Sequence, residues 1–215
     1  MKRKLLVAAA LAGVLAGVAA IAAAQTGPGR AQAYPVPHPA VSDFQFIKAT
    51  TPTQADCAAV ARTCFTPQAI QSAYNVGPLH KAGWTGKGIT IAIVDSYGSD
   101  TMAHDLHVFN QAFGLRPMCG EEGVTCAPGM PTFSELTING SPATVAQPGN
   151  GTHLEDKSAW ALEVALDVET SHAIAPGANI LLVHTNTAET LGVQGFPQMM
   201  KAEDFVVTHL SLIHI

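Results

Sequence analysis

Charge is scarce in this chain of 215 residues: Asp, Glu, Lys and Arg make up 13% of it, against 47% apolar residues. Such a composition excludes a disordered polyelectrolyte and predicts a folded core. The length suffices for one good-sized core, or for part of a larger one. No charged residue at all falls between Lys4 and Arg30. The opening stretch "MKRKLLVAAALAGVLAGVAAIAAAQTGPGRAQA" therefore reads as an export signal, with Lys2, Arg3 and Lys4 as its basic start. Small-residue cleavage positions follow Ala24 and, beyond the Gly-Pro-Gly break, Ala33. The apolar run nearly reaches spanning length, so a retained anchor is the competing reading. The small-residue endings favour cleavage, a secreted product and no stable membrane association afterwards.

Removal of residues 1–33 takes away four of the eleven basic residues and none of the sixteen acidic ones, leaving a net charge of −9. No basic stripe remains to neutralise phosphates, so nucleic acid is not an expected partner. A phosphate-binding glycine loop is also missing: "GWTGKGIT" leads into a strand, whereas a P-loop leads into a helix. No internal repeat is visible. His104 and His107 stand three apart on a helix but have no third ligand in the sequence, so they are expected as surface histidines. No cofactor is expected in these residues.

Cysteine is limited to four, in the local pairs Cys57/Cys64 and Cys119/Cys126, each with six residues between. Zinc pairs are usually closer, two to four residues apart. In an exported chain the spacing predicts two local disulfides.

Residues 34–63 are rich in Pro and Thr at their start, lack a sustained period and read as a linker or short prosegment. From Gly86 the pattern changes. Residues 89–94 predict a buried strand ended by Asp95. A helix follows, which Ser99 or Asp100 can cap and Gly114 can stop, with Met102, Leu106, Phe109 and Phe113 on one face. A loop over 117–132 is pinned by the second cysteine pair. "FSELTI" (133–138) predicts a strand, 157–171 a long helix, "ANILLVHT" a second buried strand, and "GFPQMMKAEDFVVTH" a last helix with Pro197 near its first turn. Strands alternating with helices predict an α/β fold: a parallel sheet covered by helices.

Within the long helix, "SAWALEVALDVETSH" sets Glu163 and Asp167 four residues apart among apolar neighbours, with Trp160 one turn earlier. Residues at this spacing share a helix face, with Cβ atoms about 6 Å apart. If that face is partly buried, the two carboxylates cannot both ionise cheaply and titrate as a coupled unit. Such a pair can act as a general base at acidic pH, where a histidine is already protonated. The plain alternative is a solvated face. Glu169, two residues beyond Asp167, points away from the pair and is expected in solvent.

"EVALDVETSHAIAPGANILL" resembles the Glu-x-x-x-Asp helix and following strand of the sedolisin family, the serine-carboxyl peptidases. "CFTPQAIQSAYNVGPLHKAGWTGKGITIAIVDSYGS" is similar to the start of that family's catalytic domain. The likeness runs over residues 64–209 and implies a subtilisin-like fold and hydrolysis of peptide bonds in proteins or peptides at acidic pH, by a monomer. It further implies that a serine attacks the scissile carbonyl, that Glu163 takes its proton, and that Asp167 orients Glu163 and shares its charge. The family's Gly-Thr-Ser-Ala-Ser-type motif, which holds the serine, matches nothing here. Its oxyanion aspartate and its calcium site are expected beyond residue 209. The usual long folded prosegment has no counterpart in the 30 to 50 residues ahead of the domain.

Residues 210–215, "LSLIHI", match codon for codon a transposase-end adapter used in sequencing libraries (CTG TCT CTT ATA CAC ATC). They are expected to be non-native, with the catalytic domain cut short there and the fragment inactive by itself. Ordinary subtilisins are the nearest competitor: "IAIVDSYG" resembles their aspartate strand and "NGTHLED" their histidine helix. Asn150 stands where their catalytic histidine belongs, and His153 matches only the second histidine of that motif. Asp95 is expected as a hydrogen-bonding support beneath the carboxylate pair. Glycosidase chemistry fits poorly, because its two carboxylates normally come from separate strands or loops. An exported binding domain with vestigial carboxylates is the non-enzymatic alternative. Asn139 and Asn150 lie in glycosylation sequons.

Overall fold

Apolar runs with little alternation mark two strands buried on both faces, and a third, more polar strand completes the sheet. In the computed structural model, which describes residues 45–138, 154–187 and 196–209, they are β1 (Thr90–Ser96), β2 (Phe133–Thr137) and β3 (Asn179–Thr185). Their order is β1-β3-β2, and both pairings are parallel. The helices are α1 (Gln54–Ala59), α2 (Pro67–Ala73), α3 (Gly77–Lys81), α4 (Met102–Phe113), α5 (Leu154–Ile174) and α6 (Phe196–His209). The described residues all belong to one unit, Val36–Ile215. The signal segment, the sequons at Asn139 and Asn150, His153 and residues 210–215 lie outside the described residues.

Register decides which side chains share a face. Ile93 pairs with Leu182, and Leu182 with Glu135; two residues on, Asp95 and Thr137 flank His184. On this face Ile93, Phe133, Ile180 and Leu182 pack with Met102 and Leu106 of α4, Val164 and Val168 of α5, and Met118. On the other, Leu181 and Val183 pack with Ala202 and Val206 of α6, joined by the partly buried Val94 and Leu136. The sheet is therefore covered by helices on both sides, which is the α/β arrangement that the alternation of elements predicts.

Local signals set most boundaries. Gly114 ends α4 in the left-handed conformation (φ 64°), as expected. The cap at its other end differs: Thr101 occupies the N-cap position without a side-chain cap bond, rather than Ser99 or Asp100. Phe109 and Phe113 meet edge to face, but the third fully withdrawn position of α4 is Asn110, not an aromatic ring. Within the segment expected as a linker or short prosegment, residues 54–59 form a helix. Thr53 and Asp56 form a capping box that starts α1, and Thr66 caps α2 with Pro67 behind it.

Both expected disulfides are present, Cys57–Cys64 and Cys119–Cys126. The second closes a loop that grips the start of β2: Cys119 N–H donates to Pro131 O at 2.8 Å, and Phe133 N–H to Cys119 O at 2.8 Å. Gly120 is required there, because a Cβ would come within 2.1 Å of the Phe133 carbonyl oxygen. Glu121, buried beside it, accepts from Met118 N–H and from Asn110 Nδ2, each at 2.5 Å. His107 Nδ1 lies 3.4 Å from Glu121, and His104 pairs with Glu122. The two histidines thus tie α4 to the disulfide loop, and no group of three or more metal-ligating side chains forms among the described residues.

Candidate functional site

Parallel strands present their carboxyl ends together, and ligand sites in α/β sheets form outside that edge. Here the edge is Asp95 and Ser96 of β1, His184 and Thr185 of β3, and Thr137 of β2. Asp95 is 4% exposed and Ser96 fully buried. The chain then turns sharply. Tyr97 and Gly98 both adopt left-handed backbone conformations, with φ of 62° and 68°. Tyr97 N–H donates to Thr185 O at 2.7 Å, and Gly98 N–H to Ser96 O at 2.7 Å. Glycine is favoured at 98 by its φ, and a Cβ there would press on the His184 ring at 3.0 Å.

Helix α5 crosses the same face of the sheet. Trp160, Val164, Val168 and His172 recur every fourth residue and form its buried stripe. Glu163 and Asp167 flank this stripe and are half-buried, while Leu162 and Leu166 beyond them are 40% and 51% exposed. The carboxylates thus sit at the boundary between core and surface. Burial pushes the Asp167 carboxyl up. Glu163 Oε2 is itself withdrawn from solvent. Trp160 packs against Tyr97, so the strained turn after β1 and the first turn of the described α5 surface touch. Asp95 belongs to the sheet face that α5 covers, as its register with His184 requires.

Two further carboxyls on this side escape a spacing argument. Burial, reinforced by the nearby charge of Asp100, raises Glu135 of β2 to about 7. Burial and the charge of Asp105 raise Glu169 to about 8. Glu169 is therefore half-buried, not fully solvated as expected: it lies away from the Glu163/Asp167 pair, near Asp105 of α4. Strand alternation could have flagged Glu135, because it shares a face with the buried Phe133.

Both buried histidines are held toward the neutral form by desolvation. His172 closes the buried stripe of α5, with Nε2 2.8 Å from Arg116 O. On the opposite sheet face, Met199 Sδ of α6 lies 3.7 Å from both Ser96 Oγ and Thr185 Oγ1.

No family model, curated protein or solved structure matches the chain. The chemistry must be argued from the residues themselves. A half-buried carboxyl pair on one helix face can hold one proton between two groups and exchange it at acidic pH. The nucleophile that such a base would activate is not supplied by the described edge: Ser96 is fully buried against Met199, and Ser99 is 8% exposed.

Proposed function

We propose that the chain carries the general-base part of a secreted serine-carboxyl endopeptidase of the sedolisin type, acting on peptide bonds at acidic pH. The observation that carries this reading is the placement of Glu163 with Asp167, whose carboxyl is pushed up by burial, on a helix beside the carboxyl edge of a parallel sheet. In this reading the fold is subtilisin-like, and the serine, the oxyanion aspartate and a calcium site follow beyond residue 209. The half-exposed Leu162 and Leu166 fit that continuation, because a helix apolar on several sides normally lies inside a fold.

In this reading Asp167, whose carboxyl burial pushes up, holds a proton at acidic pH and orients Glu163, which acts as the base. Glu163 accepts the proton of the attacking serine hydroxyl as the Oγ–carbonyl carbon bond forms, and the carbonyl electrons move to oxygen. When the tetrahedral adduct collapses, Glu163 returns that proton to the leaving amine. Water then hydrolyses the acyl-enzyme by the same base. Asp95, buried at the end of β1, supports the pair from the sheet side.

The test is a gene extended with the source DNA past codon 209. The extended protein should cleave peptides at acidic pH, and Glu163→Gln should lower kcat by about 10²–10⁴-fold, the usual worth of a general base. Full activity in that variant would falsify the assignment. Source DNA lacking a serine motif would favour the second reading, an exported binding domain.

A further inference from the structure

The last residue but one of the central strand is a histidine that the proton path above does not use. His184 is 4% exposed and stands between Asp95 and Thr137, on the sheet face covered by α5. Its Nδ1 is buried without a hydrogen-bond partner among the described residues. The ring lies directly under the turn at residues 96–99, filling the space that a side chain at Gly98 would need. That turn is tied to the same strand through Tyr97 N–H and Thr185 O. Tyrosine is seldom left-handed, and Tyr97 stays so because its surroundings hold it there, with its ring against Trp160, one turn before Glu163.

We propose that His184 is a positioning residue of the carboxylate site: its ring is the support on which the 96–99 turn rests, and through that turn it fixes Asp95 and keeps Tyr97 against Trp160 beside Glu163. Its value to catalysis rests on the peptidase reading; its geometry does not. Burial favours the neutral ring, and the Thr185 backbone and the charge of Asp100 offset this in part. The ionisable groups on its side of the sheet are Asp95 on β1, Glu135 on β2, Asp100 after the turn, and Glu163 and Asp167 on α5. As the pH falls, the ring gains its second proton, and both nitrogens then carry N–H groups. A buried N–H needs an acceptor, and Nδ1 has no hydrogen-bond partner where the ring now sits. The ring must move to reach one, and the turn resting on it moves too, which draws Tyr97 away from Trp160.

Trp84 is 76% exposed and is the second of the two tryptophans, so Trp84→Phe leaves Trp160 as the single reporter. In that background the intact chain is titrated from about pH 7 to 3, a range spanning the ordinary histidine region, with tryptophan emission and imidazole ¹⁵N shifts recorded together. The expected result is a Trp160 transition whose midpoint coincides with the His184 ring titration and which is lost in His184→Gln, with far-UV circular dichroism unchanged. A transition that persists at the same midpoint in His184→Gln overturns the proposal. So does flat Trp160 emission while the His184 nitrogens report proton uptake. Should His184→Gln not fold, Gly98→Ala serves instead: its Cβ presses on the ring and should shift Trp160 emission at every pH, and unchanged emission overturns the proposal. None of these readouts needs a substrate or a serine. Absence of hydrolysis by the extended protein sinks the peptidase reading and leaves the Trp160 result standing, and the converse holds equally.

Discussion

At the scale of single residues, two kinds of acidic group stand apart: Asp56 is held low by Lys48 and Thr53, whereas others are pushed up by burial. Desolvation is the first cause of the raised values of Glu135, Asp167 and Glu169. For Glu135 and Glu169 the sign of the pH effect is definite. Each has an ordinary value of 4.5 and a folded value of about 7 or about 8. Below 4.5 both states hold the proton and the stability is fully present. Between 4.5 and about 8 the unfolded chain releases protons that the folded chain retains, so stability falls as the pH rises. Thermal midpoints should therefore drop from pH 4.5 to 8, and the double variant Glu135→Gln/Glu169→Gln should flatten that slope. An unchanged slope in the double variant refutes this assignment. The Glu163/Asp167 pair was legible because two carboxylates at helical spacing in an apolar run are conspicuous. Glu169 was not, because a single acidic residue carries no spacing and its burial depends on which element packs over it; Glu135 shows only through the strand alternation that sets it on the face of Phe133.

At the scale of elements, continuous apolar runs carried most of the information. β1, β3, α4, α5 and α6 follow from run length and period, with ends displaced by a few residues; α5 runs from 154 to 174 rather than 157 to 171. α1, α2 and α3 are five to seven residues long, too short to show a period; caps are the better signal for α1 and α2, while α3 has no side-chain cap and begins at Gly-Pro. Two substitutions probe which elements matter. Leu182 is fully buried on the central strand, so Leu182→Ala should cost about 2–5 kcal/mol in denaturant unfolding, the range for a buried leucine whose cavity cannot collapse. Replacing Cys119 and Cys126 by serine opens the loop that grips the start of β2 through the Cys119 backbone and is braced by Glu121. For so short a loop, chain entropy predicts a loss of about 2–3 kcal/mol. The same unfolding measurement should rank the two. A disulfide variant as stable as the parent would mean that Glu121 and its backbone bonds hold the loop unaided.

At the scale of the whole molecule, three parallel strands raise the question of what borders them. Among the described residues β1 and β2 each pair only with β3, which leaves each with one edge unmatched by a strand. Parallel strands rarely stand at an unprotected edge, because their backbone groups need partners that water supplies poorly beside a packed core. The proposed continuation beyond residue 209 would answer this by adding a strand next to β1 and covering Leu162 and Leu166 of α5. Amide hydrogen exchange discriminates between the possibilities. In the 215-residue chain, β1 amides that do not point toward β3 should exchange fast, while β3 amides, bonded on both sides, exchange slowly. In the chain extended past codon 209, those β1 amides should slow toward the rates of β3, and Leu162→Asp should become strongly destabilising where it was nearly neutral. If extension leaves the β1 amides fast and Leu162→Asp harmless, the added residues form no part of this sheet. The subtilisin-like architecture would then fail, and the carboxylate pair would have to be explained within the core described here.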